Sequence, residues 1–137
     1  MHWAANFEGM PKHALMIDDA PRPAGPYSHG IEANGFIFTA GFGPQDPNTG
    51  QVVEGGVYEQ TQQVLHNVQA VLAARGATLD DVVKVTAHLQ HLKRDFAEYN
   101  RAYAEFFTEP YPVRTTVGSD LYDILVEIDV VAAVPAA

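Results

Sequence analysis

The sequence predicts an α+β fold: one β-sheet with two helices packed against one of its faces. Three observations carry this. Two segments, around 57–75 and 95–107, repeat apolar residues at helical spacing. Short runs rich in Val, Ile, Thr and Phe stand before, between and after them. The resulting order is strand, hairpin, helix, strand, helix, strands, with no internal repeat and no linker, so residues 1–137 read as a single domain.

Each element has its own signal. Residues 1–11 carry little pattern and read as a loose N-terminal extension, and 12–17 as a first strand. Three prolines and two glycines make 18–30 a loop with fixed bends. Asn34-Gly35 sits between two apolar runs in 31–41, the strongest short hairpin signal. A loop with a turn at 46–50 follows. Val57, Thr61, Val64, Leu65, Val68, Val71 and Leu72 then form one face of an amphipathic helix, and Gly76 is suited to a left-handed C-cap. Residues 80–92 read as a strand with a short lead-in. Asp95, with Glu98 three residues on, predicts the start of the second helix by a capping-box pattern. Its apolar stripe is Phe96, Tyr99, Tyr103, Phe106 and Phe107, and Pro110 and Pro112 stop it. Runs at 113–117 and 124–131 supply the last strands.

Composition narrows the chemistry. With 47% apolar residues the chain is globular. It has no cysteine, which excludes disulfides, thiolate metal sites and cysteine nucleophiles. Its net charge is −9, and only Lys93 and Arg94 among the eight Lys and Arg are adjacent. An acidic surface without a basic patch predicts no nucleic-acid partner. No run approaches the roughly 18 apolar residues of a membrane span, and no secretory signal pattern opens the chain, so the expected setting is the cytoplasm.

Two charged residues stand inside otherwise strand-like runs. Arg114 shares a face with Thr116, opposite Val113 and Thr115. Its stem could lie on a neighbour with its head in water. Alternatively, its planar fork could hold a carboxylate through two charge-assisted hydrogen bonds. Glu127 points away from Val126 and Ile128, and reads either as a solvent-facing residue or as an acid-base group at a pocket edge. Around Gly41, "GFGP" lacks the spacing of a phosphate loop, although a strand-end glycine can admit a small ligand closely. His88 and His91 fall on opposite faces of a strand, so no metal site is expected. His29 lies beside Tyr27 and reads as a pocket neighbour.

Several segments together are more specific: "GPYSHG" (25–30), "TAGFGPQDPNTGQVV" (39–53), the helix and strand of 59–89, "FAEYNRAYAEFF" (96–107), "PVRTTV" (112–117) and "LVEIDVVA" (125–132). In this order the chain closely resembles the Rid (YjgF) family of reactive-intermediate and imine deaminases, over nearly its whole length. The resemblance implies a chorismate-mutase-like fold of the bacillus type, with a mixed sheet, assembled as a homotrimer with ligand sites between subunits. It implies hydrolysis of enamine and imine acids such as 2-aminoacrylate to a 2-keto acid and ammonia, with no metal or organic cofactor. It assigns the carboxylate clamp to Arg114, a pocket hydroxyl to Thr116, the site glutamate to Glu127, the ligand-flanking tyrosine to Tyr27 and the strand-end glycine to Gly41. Phe42 stands where the family usually has a polar residue, which predicts a more apolar pocket wall. The segment before Glu127 is shorter than in familiar members and carries Tyr122 and Asp123, which predicts an altered, more acidic rim. These departures leave room for a pathway-specific substrate, such as an aminomuconate-type imine acid. A trimer that binds small carboxylates without turnover is the other reading.

Overall fold

A computed structural model describes residues 10–136. The expected loose extension lies outside the described residues except for Met10 and Pro11. The strands are β1 (His13–Leu15), β2 (Gly30–Ala33), β3 (Phe36–Thr39), β4 (Val82–Leu89), β5 (Val113–Gly118) and β6 (Val126–Ala133). The helices are α1 (Val57–Ala73) and α2 (Leu92–Tyr103). The strands form one sheet in the order β1-β2-β3-β6-β4-β5. It is mixed: β4 and β5 run parallel, while the other neighbours are antiparallel.

Local chemistry explains most of the element ends. Asn34 (φ 52°) and Gly35 (φ 81°) both adopt positive φ, as a two-residue primed hairpin turn requires. At the end of α1, the Ala77 amide donates to the Leu72 carbonyl and the Gly76 amide to Ala73, with Gly76 at φ 68°. This is a Schellman cap closed by glycine. The lead-in to β4 is a 3₁₀ turn (Leu79–Asp81) capped by Thr78.

The second helix departs from expectation. It begins at Leu92, with His91 as N-cap and no side-chain cap. Asp95 lies inside the first turn, where its amide already donates to the His91 carbonyl. Its carboxylate is engaged by the Arg94 guanidinium at 2.8 Å instead of capping a helix. Phe106 and Phe107 lie beyond the last helical residue, Tyr103.

Alternation along the strands sorts the two faces of the sheet. Val85, Ala87 and Leu89 of β4 and Val126, Ile128 and Val130 of β6 are buried under the helices. The β4–β5 register pairs Val85 with Arg114 and Ala87 with Thr116, so these two β5 side chains are on the helix side. The β4–β6 register pairs His88 with Glu127 and Thr86 with Asp129, which puts both acids on the face without helices. That second face also leaves Phe36 and Phe38 of β3 and Val113 and Val117 of β5 exposed.

Candidate active site split between the two faces of the sheet

The arginine half is built by β5 and α2. Arg114 is exposed to solvent but its head is fixed. Nη1 donates to Asn100 Oδ1 at 2.8 Å. The guanidinium carbon lies 4.7 Å from the Tyr103 ring centroid, 5.2 Å from Tyr99 and 5.8 Å from Phe96. All four partners sit on α2, spaced so that their side chains meet the edge strand. Cation–π contact with several rings holds the plane of the fork. Arg114 lines a shallow pocket of about 340 Å³ together with Tyr111 and Pro112. Thr116, half-buried and two residues along, has its hydroxyl 3.2 Å from that of Tyr99.

Two of these tyrosines are electrostatically unusual. Burial raises the Tyr103 pKa to about 12, with Tyr99 adding to the rise and Arg114 opposing it. Burial also raises Tyr99, against the lowering effects of the Thr116 hydrogen bond and Arg114. Both phenols therefore stay protonated at neutral pH. The Tyr103 hydroxyl is buried without a hydrogen-bond partner.

The glutamate half is on the other face. Glu127 is half-buried in a groove of about 700 Å³ with Tyr27, Ser28, Ile31, Phe38 and Thr39. Its carboxylate passes directly over Gly41: a Cβ there would lie 2.5 Å from Oε1 and 2.9 Å from Cδ. Gly41 is thus the residue whose missing side chain makes room for the acid. The backbone here is tied by the reciprocal Phe42–Ile128 bridge, with N···O distances of 2.9 and 3.1 Å. Asn67 of α1 reaches the same loop, donating to the carbonyls of Gly43 and Gln45. Tyr27 is exposed, and its hydroxyl accepts from the Ala24 amide at 2.9 Å. Asp129 lies one strand pair further along, and burial raises its pKa while His88 and Lys84 oppose the rise.

Arg114 and Thr116 therefore form one half, and Glu127, Gly41 and Tyr27 the other. The Phe42 ring, 5% exposed, stacks on His29, and Phe42 lines a cleft with Tyr27, Gly41 and Gly43. Two expectations are amended. His29 is itself buried, accepting from the Ile17 amide at Nδ1 and donating from Nε2 to the Pro21 carbonyl, so it is a structural residue rather than a pocket neighbour. Asp123 borders a separate depression beside Gln60, Gln90 and His91, not either half. Asn100 was not singled out in the sequence. It lies on the polar side of a helical stripe, and only the β5–α2 contact gives it a role.

An arginine fork on an edge strand and a glutamate-lined groove on the other face of the sheet define the class to which this small α+β protein is compared. Residues 17–134 match the family model described as Endoribonuclease L-PSP. A RutC family protein of Pyrococcus horikoshii is 45% identical over 123 residues, covering 88% of this chain and 97% of that protein. A 2-iminobutanoate/2-iminopropanoate deaminase of Dermatophagoides farinae is 35% identical over 108 residues, covering 79% and 84%. Among solved structures, a Rid protein of Yersinia pestis superposes with a TM-score of 0.84 at 37% identity, covering 90% of this chain and 99% of its own. TdcF of E. coli, crystallised with bound serine, gives 0.82 at 32% identity, covering 88% and 98%. The chain belongs to this family, known as Rid, YjgF or RutC. Among the described residues no helix is long and apolar enough to cross a membrane.

Proposed function

We propose that the protein hydrolyses imine and enamine acids of the 2-aminoacrylate type to 2-keto acids and ammonia. The observation that carries this reading is the Arg114 fork, held by Asn100 and the aromatic floor at the wall of an open pocket. The deaminase relative and the serine-bound neighbour support a small amino- or imino-acid ligand.

The two half-sites lie on opposite faces of one sheet, so no single chain can bring Arg114 to Glu127. A second copy can. The apolar side chains exposed on the helix-free face, Phe36, Phe38, Val113 and Val117, favour burial against such a copy. We therefore read the active species as a homotrimer of chorismate-mutase-like subunits, with each site formed between two of them.

In such a site Arg114 holds the substrate carboxylate and fixes the adjacent C=N group, and well-oriented reactions gain several kcal/mol from such positioning. An enamine substrate first takes a proton at its terminal carbon to become the imine. Water then adds to the imine carbon, Glu127 accepting the proton the water loses. The same proton passes to nitrogen. The carbinolamine hydroxyl then gives up its remaining proton, which Glu127 relays to nitrogen as C=O forms, the C–N bond breaks and ammonia leaves. Because imines are already reactive, acid-base assistance of about 10²–10⁴-fold is sufficient. The scheme calls on no metal or organic cofactor, and the protein is read as acting in the cytoplasm.

The test is turnover of 2-aminoacrylate, generated in place by a dehydratase acting on serine, with pyruvate and ammonia measured for wild type and Arg114→Ala. Acceleration by wild type that is lost in the variant is the expected result. A wild type that binds pyruvate yet accelerates nothing would make this a carboxylate-binding protein instead. The family description names an endoribonuclease, but a net charge of −9 with scattered cations opposes RNA binding. A salt-sensitive RNA mobility shift would reverse that.

A further inference from the structure

We propose that Tyr99 is a positioning residue that sets both functional side chains of β5, its ring supporting Arg114 and its hydroxyl orienting Thr116. The inference rests on reading the Arg114 pocket as an imine-acid site. Tyr99 is fully buried, yet it touches both residues. Its ring centroid is 5.2 Å from the Arg114 guanidinium carbon, and its hydroxyl oxygen is 3.2 Å from Thr116 Oγ1. Arg114 and Thr116 leave the same face of the strand two residues apart, and α2 lays one phenol against both.

The direction of the hydroxyl contact follows from burial. A phenol and a threonine hydroxyl each carry one proton, and either could donate. If Thr116 donated, the Tyr99 proton would be left in the core without an acceptor. If Tyr99 donates, the unpaired proton belongs to Thr116, which is half-exposed and can find a partner outside. The second arrangement leaves no buried donor unpaired. Burial of Tyr99 also keeps its phenol protonated over the working pH range. Tyr99 therefore donates, and the Thr116 hydroxyl is left as a proton donor for a ligand held by Arg114. This favours substrates with an acceptor beside the carboxylate, as in 2-imino and 2-keto acids, over simple aliphatic acids.

The test is a double-mutant cycle of Tyr99→Phe and Thr116→Val, with kcat and KM for 2-aminoacrylate and, separately, calorimetric binding of pyruvate. Tyr99→Phe keeps the ring and deletes the hydroxyl. It should lower kcat about tenfold, the size of one oriented hydrogen bond, and do nothing further in a Thr116→Val background. Tyr99→Leu removes the ring as well, and should also raise KM and weaken pyruvate binding about tenfold or more. Equal losses from Tyr99→Phe in both backgrounds would overturn the inference, because they would mark a general packing effect. So would wild-type kcat in Tyr99→Phe. If wild type binds pyruvate without turnover, the deaminase reading fails, and the same non-additivity is then read in pyruvate affinity. If it does neither, both fail.

Discussion

Replacing Gly41 by alanine tests whether the Glu127 carboxylate is placed by the absence of a side chain beneath it. The added Cβ would sit 2.5 Å from Oε1, whereas ordinary contact begins at 3.4 Å, so the carboxylate must retreat by about 0.9 Å. The obstructing atoms are the end of a flexible side chain, and Gly41 does not hold a positive φ. The backbone therefore tolerates alanine, and the melting temperature should fall by no more than about 3 °C. Activity should not tolerate it. A misplacement near 1 Å at a reacting group can cost about 10²-fold, and a loss of about 10- to 100-fold in kcat is expected. The assay is 2-aminoacrylate turnover, run also in a Glu127→Ala background, where Gly41→Ala should cost nothing more. Full activity in Gly41→Ala would refute the reasoning. So would the same fractional loss without Glu127, because the alanine would then act through something else.

Three further outcomes follow from the packing. Leu65 of α1 is completely buried, so Leu65→Ala should cost about 2–5 kcal/mol, read by urea unfolding. Gly76 holds φ 68° in the α1 cap, so Gly76→Ala should cost about 1 kcal/mol and Gly76→Asn less, by the same measurement. Tyr103 carries a buried hydroxyl without a partner, so Tyr103→Phe should be no less stable than wild type at pH 7. Its folded pKa, about 12, exceeds the ordinary phenol value of 10.0, so the folded state keeps a proton the unfolded state gives up. Wild type should thus lose stability as pH rises through 10 to 12, and Tyr103→Phe should lose less. An identical alkaline decline in both proteins would show that Tyr103 does not cause it.

The readable parts of the sequence were those governed by neighbours along the chain. Asn34-Gly35 specifies its turn locally, Gly76 its cap, and the spacing from Val57 to Leu72 its buried helix face. The alternation around Arg114 and Glu127 also correctly showed that each points away from its apolar neighbours. What alternation does not give is which face of the sheet each one meets. That depends on β5 pairing in parallel with β4 and on β6 inserting between β3 and β4, both long-range choices. The same limit hid Asn100 and the Tyr99 hydroxyl. Helical periodicity assigns Tyr99 to a stripe, but not to the strand residue it touches. The start of α2 was misplaced for another reason: Asp95 fits a capping pattern, yet Arg94 beside it competes for the same carboxylate.

The position of β6 also bears on how the protein is made. It is the last strand in the chain, yet it lies between β3 and β4 near the middle of the sheet. As the polypeptide leaves the ribosome, the β1–β3 unit and the β4–α2–β5 unit can each begin to form, but each exposes a raw edge where β6 will later insert. A chain cut before Val126 would keep both units and lose the seam that joins them. The final joining step therefore awaits residues 126–133, and until then both edges are open to the wrong partner. In the finished molecule those same amides are bonded on both sides, so β6 should exchange its hydrogens last.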